Sequence, residues 1–178
     1  TEGDPGSLAQ KRTTTFWNRL LVTASTPTIE DESKIESRYQ QSDQRKFYVP
    51  CPECDAFQVL MWSQIKFEKG NSATTYYECE HCKAHLRESD KMWMLSHGEW
   101  RAEAAFNGIA GFHVNELYSP WVRWREMVEN FHKAKRLPET LKVWVNTSLG
   151  ETWKDKTEGV DPSGLLKRKE NWGRVAPD

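Results

Sequence analysis

The sequence has no long apolar run and no excess of charge of one sign. It contains no stretch of about eighteen consecutive apolar residues, the length that a membrane-spanning helix requires. Its 178 residues carry 25 Lys and Arg against 26 Asp and Glu, so the formal net charge is −1. No global field therefore draws the chain onto nucleic acid. We expect no membrane partner, and any contact with nucleic acid must depend on local basic patches.

Cysteines are few, and the N-terminal residues lack the basic and apolar regions of a secretion signal. The sequence begins without Met on the turn-like residues 3–6, and we expect a segment of a longer protein. All four cysteines belong to two Cys-x-x-Cys pairs, which in a chain without a secretion signal favours reduced thiols over disulfides. We therefore expect a cytoplasmic protein.

Aromatic residues are abundant, and the chain has nine Trp. This content argues against wholesale disorder. Five of the Trp have apolar neighbours, which favours a compact core over nucleotide stacking. They are Trp93, Trp100, Trp121, Trp124 and Trp144.

Hydrophobic patterning predicts short strands and short helices. The apolar run at 20–24 predicts a buried strand that ends in the loop 25–28, and residues 30–46 predict a solvated helix. Short β-type runs fill 47–88. Further helices are predicted at 91–95, at 121–135 and from Pro138 to Gly150. The pattern indicates an α+β fold.

The strongest motif is the pair Cys51-x-x-Cys54 and Cys79-x-x-Cys82, separated by 24 residues. Each pair can present two thiolates from one tight turn, and two such turns complete a closed tetrahedron around Zn²⁺. Four protein ligands leave no open position for water, so the predicted role is structural. His81 and His85 are alternative ligands. A redox role is a weaker alternative because a thioredoxin-type site uses a single Cys-x-x-Cys.

Several strings, in order along nearly the whole chain, resemble the large terminase subunit of lambda-like tailed phages, the gpA-like family of DNA-packaging motors. The strings are residues 2–5, 25–28, 42–54, 79–82, 111–121 and 146–153. The resemblance implies an ATPase domain, a zinc-ribbon insertion and a metal-dependent nuclease, of which this sequence is the central segment. Family members commonly carry Gly after each cysteine pair, whereas Asp55 and Lys83 stand here.

The resemblance implies four units. Residues 1–46 are the C-terminal edge of an α/β ATPase domain, 47–90 a Cys₄ zinc ribbon of short antiparallel strands, 91–153 a small Trp-rich helical connector, and 154–178 a charged linker towards a nuclease domain. It also implies that Ser25 and Thr26 form the motif that couples nucleotide state to DNA. From the residues alone, Ser25 to Thr28 form a helix cap and turn.

Catalytic motifs are missing from this segment. The phosphate-binding pattern Gly-x-x-x-x-Gly-Lys-Ser/Thr does not occur, and no Asp and Glu set suits two-metal cleavage. We therefore expect neither ATPase nor nuclease activity from the segment alone, with ATP and Mg²⁺ used only in the complete motor. By resemblance, the partners are double-stranded phage DNA, the small terminase subunit and the portal, in the cytoplasm of the bacterial host.

Two basic groups are candidates for contact with DNA phosphates. One lies along the predicted helix 121–135 and just beyond its end, with acidic residues between its members. The other lies near the C-terminus beside Trp172. Their members are Arg123, Lys133, Lys135, Arg136, Lys167, Arg168 and Lys169. A solvated linker explains the C-terminal group equally well, and the helix group is the better candidate although its acidic neighbours reduce its field. An autonomous zinc-ribbon module that binds DNA or docks a protein, without catalysis, is the alternative function.

Overall fold

Two small sheets and several short helices make up the part of the chain that the structure describes. The structure, a computed structural model, describes residues 5–154. The helices are α1 (Pro5–Arg12), α2 (Lys34–Gln40), α3 (Glu88–Ser96), α4 (Trp124–Ala134) and α5 (Pro138–Trp144). The strands are β1 (Arg45–Pro50), β2 (Phe57–Val59), β3 (Ile65–Glu68), β4 (Asn71–Glu78), β5 (His85–Leu86), β6 (Glu99–Arg101) and β7 (Phe112–His113). The mixed α and β fold predicted from the sequence is confirmed.

The first sheet is built around β1. This strand pairs antiparallel with β2 on one side and with β6 on the other, and its first residues pair in parallel with β7. The second sheet has the order β3-β4-β5, all antiparallel. The hairpins β1–β2 and β4–β5 therefore each contain one Cys-x-x-Cys turn.

Helix α4 covers the second sheet with an apolar face. Trp124, Met127 and Val128 are buried at helical spacing, and the Trp124 ring lies 5.5 Å from the ring of Tyr77 in β4. The side chain of Lys91 is buried beside the Trp124 ring. Its Nζ donates to Glu88 Oε1 at 3.0 Å and to Val122 O at 2.7 Å. These paired polar groups join α3 to the start of α4.

The Trp residues divide between core and surface. Trp124 and Trp144 are buried as the sequence predicts, whereas Trp121 is 87% exposed and Trp93 and Trp100 are each 40% exposed. The core prediction is therefore wrong for these three, and Trp121 is the most exposed because α4 begins only at Trp124 and leaves Trp121 in the preceding loop.

The predicted buried strand at 20–24 is wrong. These residues have no regular secondary structure, and Leu20 and Val22 are 85% and 80% exposed. Within residues 5–154 no strand runs beside them, so the apolar run has neither a hydrogen-bonding partner nor a covering layer. The helix predicted over 30–46 is also shorter than expected, because α2 ends at Gln40 and β1 begins at Arg45.

The chain after α5 confirms the predicted helix end. A π-helical turn, Val145–Leu149, continues α5 and ends at Gly150, which has φ +64°. A Cβ at Gly150 would lie 3.1 Å from His113 Nε2, so both the backbone conformation and the space favour glycine. Beyond it, Trp153 pairs with Ile29 in an isolated parallel bridge.

Candidate metal centre

The first cysteine turn closes the β1–β2 hairpin. Cys51 follows β1 directly, its N–H donates to Ala56 O at 3.0 Å, and Asp55 N–H donates to Cys51 O at 2.8 Å. A further N–H, from Glu53, points at Cys51 Sγ at 3.4 Å. The backbone thus returns on itself within four residues and turns the sulfur atoms to one side.

The second turn repeats the first. Cys79 follows β4, its N–H donates to Ala84 O at 2.9 Å, and Lys83 N–H donates to Cys79 O at 3.1 Å. Asp55 and Lys83 hold equivalent places and both adopt the left-handed conformation, with φ +57° and +61°. Both residues thus adopt a conformation that glycine accepts more readily than residues with a Cβ.

The four sulfur atoms meet between the two turns. Cys51 Sγ lies 3.8 Å from Cys82 Sγ, and Cys54 Sγ lies 3.9 Å from Cys79 Sγ. All four lie within 4.8 Å of one another. A tetrahedron with Zn–S bonds of about 2.3 Å has S···S edges of about 3.8 Å, whereas a disulfide bond is about 2.05 Å long. The spacing therefore fits tetrahedral metal coordination.

Burial and backbone dipoles act in opposite directions on the thiols. Burial raises the pKa of Cys51. At Cys79 burial has the same tendency, but the backbone N–H groups of Cys82 and His81, together with the side chains of Cys51 and Cys82, outweigh it and lower the pKa to about 7. Hydrogen bonds within the protein thus stabilise one thiolate, whereas the negative charge of four thiolates would need a metal cation to balance it.

The two histidines lie outside this cluster. In the described part of the chain, the group of side chains spaced for a metal contains the four cysteines alone. His85 instead stacks on Tyr76, with ring centroids 4.0 Å apart. The histidine alternatives therefore lose support.

A buried glutamine lies against the second turn, and the sequence analysis does not single it out. Gln58 in β2 is 1% exposed, and its Oε1 accepts the N–H of Glu80 at 2.9 Å. The signal was available in the repeat itself, since aligning Cys51 with Cys79 places Gln58 opposite Leu86. A polar residue at a buried strand position is unusual enough to mark a role.

The other predicted site residues are not brought to the cysteines. Ser25 and Thr26 lie in the exposed loop before α2, where the Ser25 hydroxyl donates to Thr26 O at 3.0 Å. Arg123 precedes α4, whereas Lys133, Lys135 and Arg136 gather at its other end, about 16 Å away along 11 residues. All four are exposed. Lys167, Arg168 and Lys169 lie outside the described residues.

None of the helices within residues 5–154 is long and apolar enough to cross a membrane. The facing Cys-x-x-Cys turns and the two small sheets define a class of protein with a four-cysteine candidate metal centre. The family follows from comparison with known sequences.

The family model described as phage terminase large subunit gpA, ATPase domain, matches residues 1–100. The model described as terminase large subunit gpA, endonuclease domain, matches residues 109–178. The chain therefore belongs to the gpA family of phage terminase large subunits, which confirms the resemblance. The nuclease match covers residues that the sequence analysis divides between connector and linker, and the boundaries of those units stay a prediction.

Two curated relatives align with almost the whole chain. The terminase large subunit of Enterobacteria phage P21 is 31% identical over 202 residues, covering 99% of this chain and 31% of the relative. The terminase large subunit of Escherichia phage lambda is 28% identical over 206 residues, covering 99% and 32%. The chain thus spans about a third of the length of these relatives. No solved structure matches.

Proposed function

We propose that this chain is the central segment of a viral genome-packaging motor, in which the four cysteines hold a structural Zn²⁺ in a linker ahead of the part that the endonuclease model matches. The observation that carries the proposal is the cluster of four sulfur atoms within 4.8 Å. Cys51, Cys54, Cys79 and Cys82 would all be ligands, so no position is left for a catalytic water. The zinc would hold the fold together.

The packing supports a zinc ribbon that is integrated with the connector. Cys51 and Cys79 belong to the same apolar core as Trp124 and Met127 of α4. A metal held between the turns of the two hairpins would therefore stabilise the helical part as well. This continuity favours a linker over the alternative, an autonomous zinc-ribbon module that binds DNA or docks a protein.

The complete motor would supply the activities. Membership of the gpA family supports ATP-driven translocation of double-stranded phage DNA and endonucleolytic cutting of the genome, with ATP and Mg²⁺ bound outside this segment. The small terminase subunit and the portal would be its partners, in the cytoplasm of the bacterial host. Ser25 and Thr26 would couple nucleotide state to DNA from their exposed loop.

The basic end of α4 is the proposed DNA contact within the described residues. Lys133, Lys135 and Arg136 are exposed together there, although cations at a helix C-terminus also compensate the helix dipole. Salt-sensitive binding of duplex DNA by the zinc-loaded chain, lost on replacing these three residues by Ala, would support the contact. Binding that the triple replacement leaves unchanged would refute it.

The metal site is tested by zinc content and thermal melting. We expect one equivalent of zinc in the purified chain and none in the double variant Cys51→Ser/Cys79→Ser. Structural zinc contributes binding energy of about 10–16 kcal/mol to folding, so loss of the metal should unfold the 47–88 region. Chelator-treated wild type is the matched control, and it should melt like the double variant. Zinc retained by the variant, or equal melting with and without chelator, would contradict the proposal.

A further inference from the structure

The two cysteine turns are equivalent in backbone but differ in one hydrogen-bond donor. The second residue of the first turn is Pro52, which has no N–H, whereas the second residue of the other turn is Glu80, which has one. In the first turn the N–H directed at the leading sulfur comes from Glu53, the third residue. The N–H of Glu80 therefore has no counterpart and needs an acceptor of its own.

Gln58 supplies that acceptor from the opposite hairpin. Its Oε1 lies 2.9 Å from Glu80 N, and the side chain is 1% exposed. Gln58 pairs with Val49 in β1 as Leu86 pairs with Tyr77 in β4, so the two buried positions are equivalent in register. The hairpin that lacks the donor thus carries the glutamine, and the hairpin that has the donor carries leucine.

The amide nitrogen of the same side chain, Nε2, makes no hydrogen bond within the described part of the fold. Within the described residues Gln58 Nε2 is buried and has no hydrogen-bond partner. An unpaired buried N–H destabilises a fold, which marks this group for a partner outside the protein's own hydrogen bonds. Nε2 belongs to the same planar amide as Oε1, which accepts the N–H of Glu80 in the second turn.

We infer that Gln58 is a positioning residue of the metal centre. It ties the first hairpin to the second turn through Glu80 N–H, and its remaining N–H is available to a thiolate once the metal is bound. This inference rests on the proposed zinc site. Hydrogen bonds of this outer kind fix ligand orientation and typically change metal affinity by about 10–100-fold.

The test uses the full chain, Zn²⁺ affinity from chelator competition, and the absorption spectrum of Co²⁺ bound in place of Zn²⁺. We expect Gln58→Leu to weaken zinc binding by about 10–100-fold and to change the Co²⁺ bands that report tetrahedral thiolate geometry. Asn115→Leu is the matched control, since Asn115 Nδ2 donates to Leu60 O at 2.8 Å, away from the turns. It should leave the Co²⁺ spectrum unchanged.

A second variant separates positioning from general stability. Glu80→Pro removes the donor and makes the second turn like the first, so Gln58→Leu should cost less affinity in that background than in the wild type, and the remaining cost measures the contact from Nε2. If Glu80→Pro does not fold, amide exchange at Glu80 replaces it, and Gln58→Leu should accelerate exchange there more than at Glu53.

Two results would overturn the inference, and they differ from failure of the site itself. Zinc affinity of Gln58→Leu equal to wild type, or a loss no larger than that of Asn115→Leu, would remove the role of Gln58 while leaving the metal. Absence of zinc uptake by the wild-type chain would overturn the proposed site, and this inference with it.

Discussion

Replacing Lys83 by Gly is expected to stabilise the protein, although it deletes a long side chain. Lys83 has φ +61°, and the left-handed conformation costs an L-residue about 1–2 kcal/mol. Glycine removes that cost but loses about 0.5–1 kcal/mol through the greater freedom of its unfolded chain. The deleted hydrogen bond, Nζ to Glu80 O at 2.8 Å, is exposed and contributes little. The net gain in unfolding free energy is therefore about 0.5–1 kcal/mol.

The assay is urea unfolding at a fixed concentration of zinc, with two controls. Lys83→Ala deletes the same hydrogen bond but keeps Cβ, so it should bring no gain. Lys133→Gly makes the same chemical change in the last turn of α4, where the backbone is right-handed and glycine should cost up to about 1 kcal/mol. Asp55→Gly should gain less than Lys83→Gly, because Asp tolerates the left-handed region better. Equal stability of Lys83→Gly and Lys83→Ala would refute the reasoning.

Two further predictions concern other parts of the core. Gly150→Ala should lower the unfolding free energy by about 1–2 kcal/mol in urea titrations, because φ is +64° and Cβ would crowd His113; an unchanged midpoint would contradict this. Burial tends to raise the pKa of Asp43, but hydrogen bonds from Arg45 Nε at 2.7 Å and Gly111 N–H at 3.0 Å outweigh it and hold the pKa below its usual value. The charged form therefore stabilises the fold above the unfolded pKa of about 3.9, and this stability is lost as pH falls through the folded pKa. Asp43→Asn should flatten the dependence of the urea midpoint on pH below about 4, and an unaltered slope would argue against this role of Asp43.

The sequence predicts best where covalent spacing and turn chemistry decide the structure. The two Cys-x-x-Cys pairs and the helix end at Gly150 are local patterns, and each lies where the sequence places it. The presence of α3, α4 and α5 was likewise readable from periodicity and from Pro138. The four members of the cysteine cluster could be predicted because the two pairs meet once the chain between them folds back on itself as a hairpin.

Prediction failed where the outcome depends on distant neighbours. The run at 20–24 has strand-like composition, yet within the described residues no strand pairs with it. Trp121 looks like a core residue from its neighbours, but the start of α4 three residues later leaves it outside. Gln58 was also missed, because its role depends on the N–H group of Glu80, 22 residues away.

The bridge between Ile29 and Trp153 places the two ends of a long excursion side by side. Glu30 N–H donates to Trp153 O at 3.0 Å, Trp153 N–H donates to Thr28 O at 2.9 Å, and Asn146 Nδ2 also donates to Thr28 O at 2.7 Å. The segment 30–152, which includes both cysteine turns, therefore begins and ends at adjacent positions in the structure. Lengthening or shortening a loop inside this excursion does not change the distance between entry and exit. The segment that contains the cysteine turns can therefore vary in length while Ile29 and Trp153 remain paired.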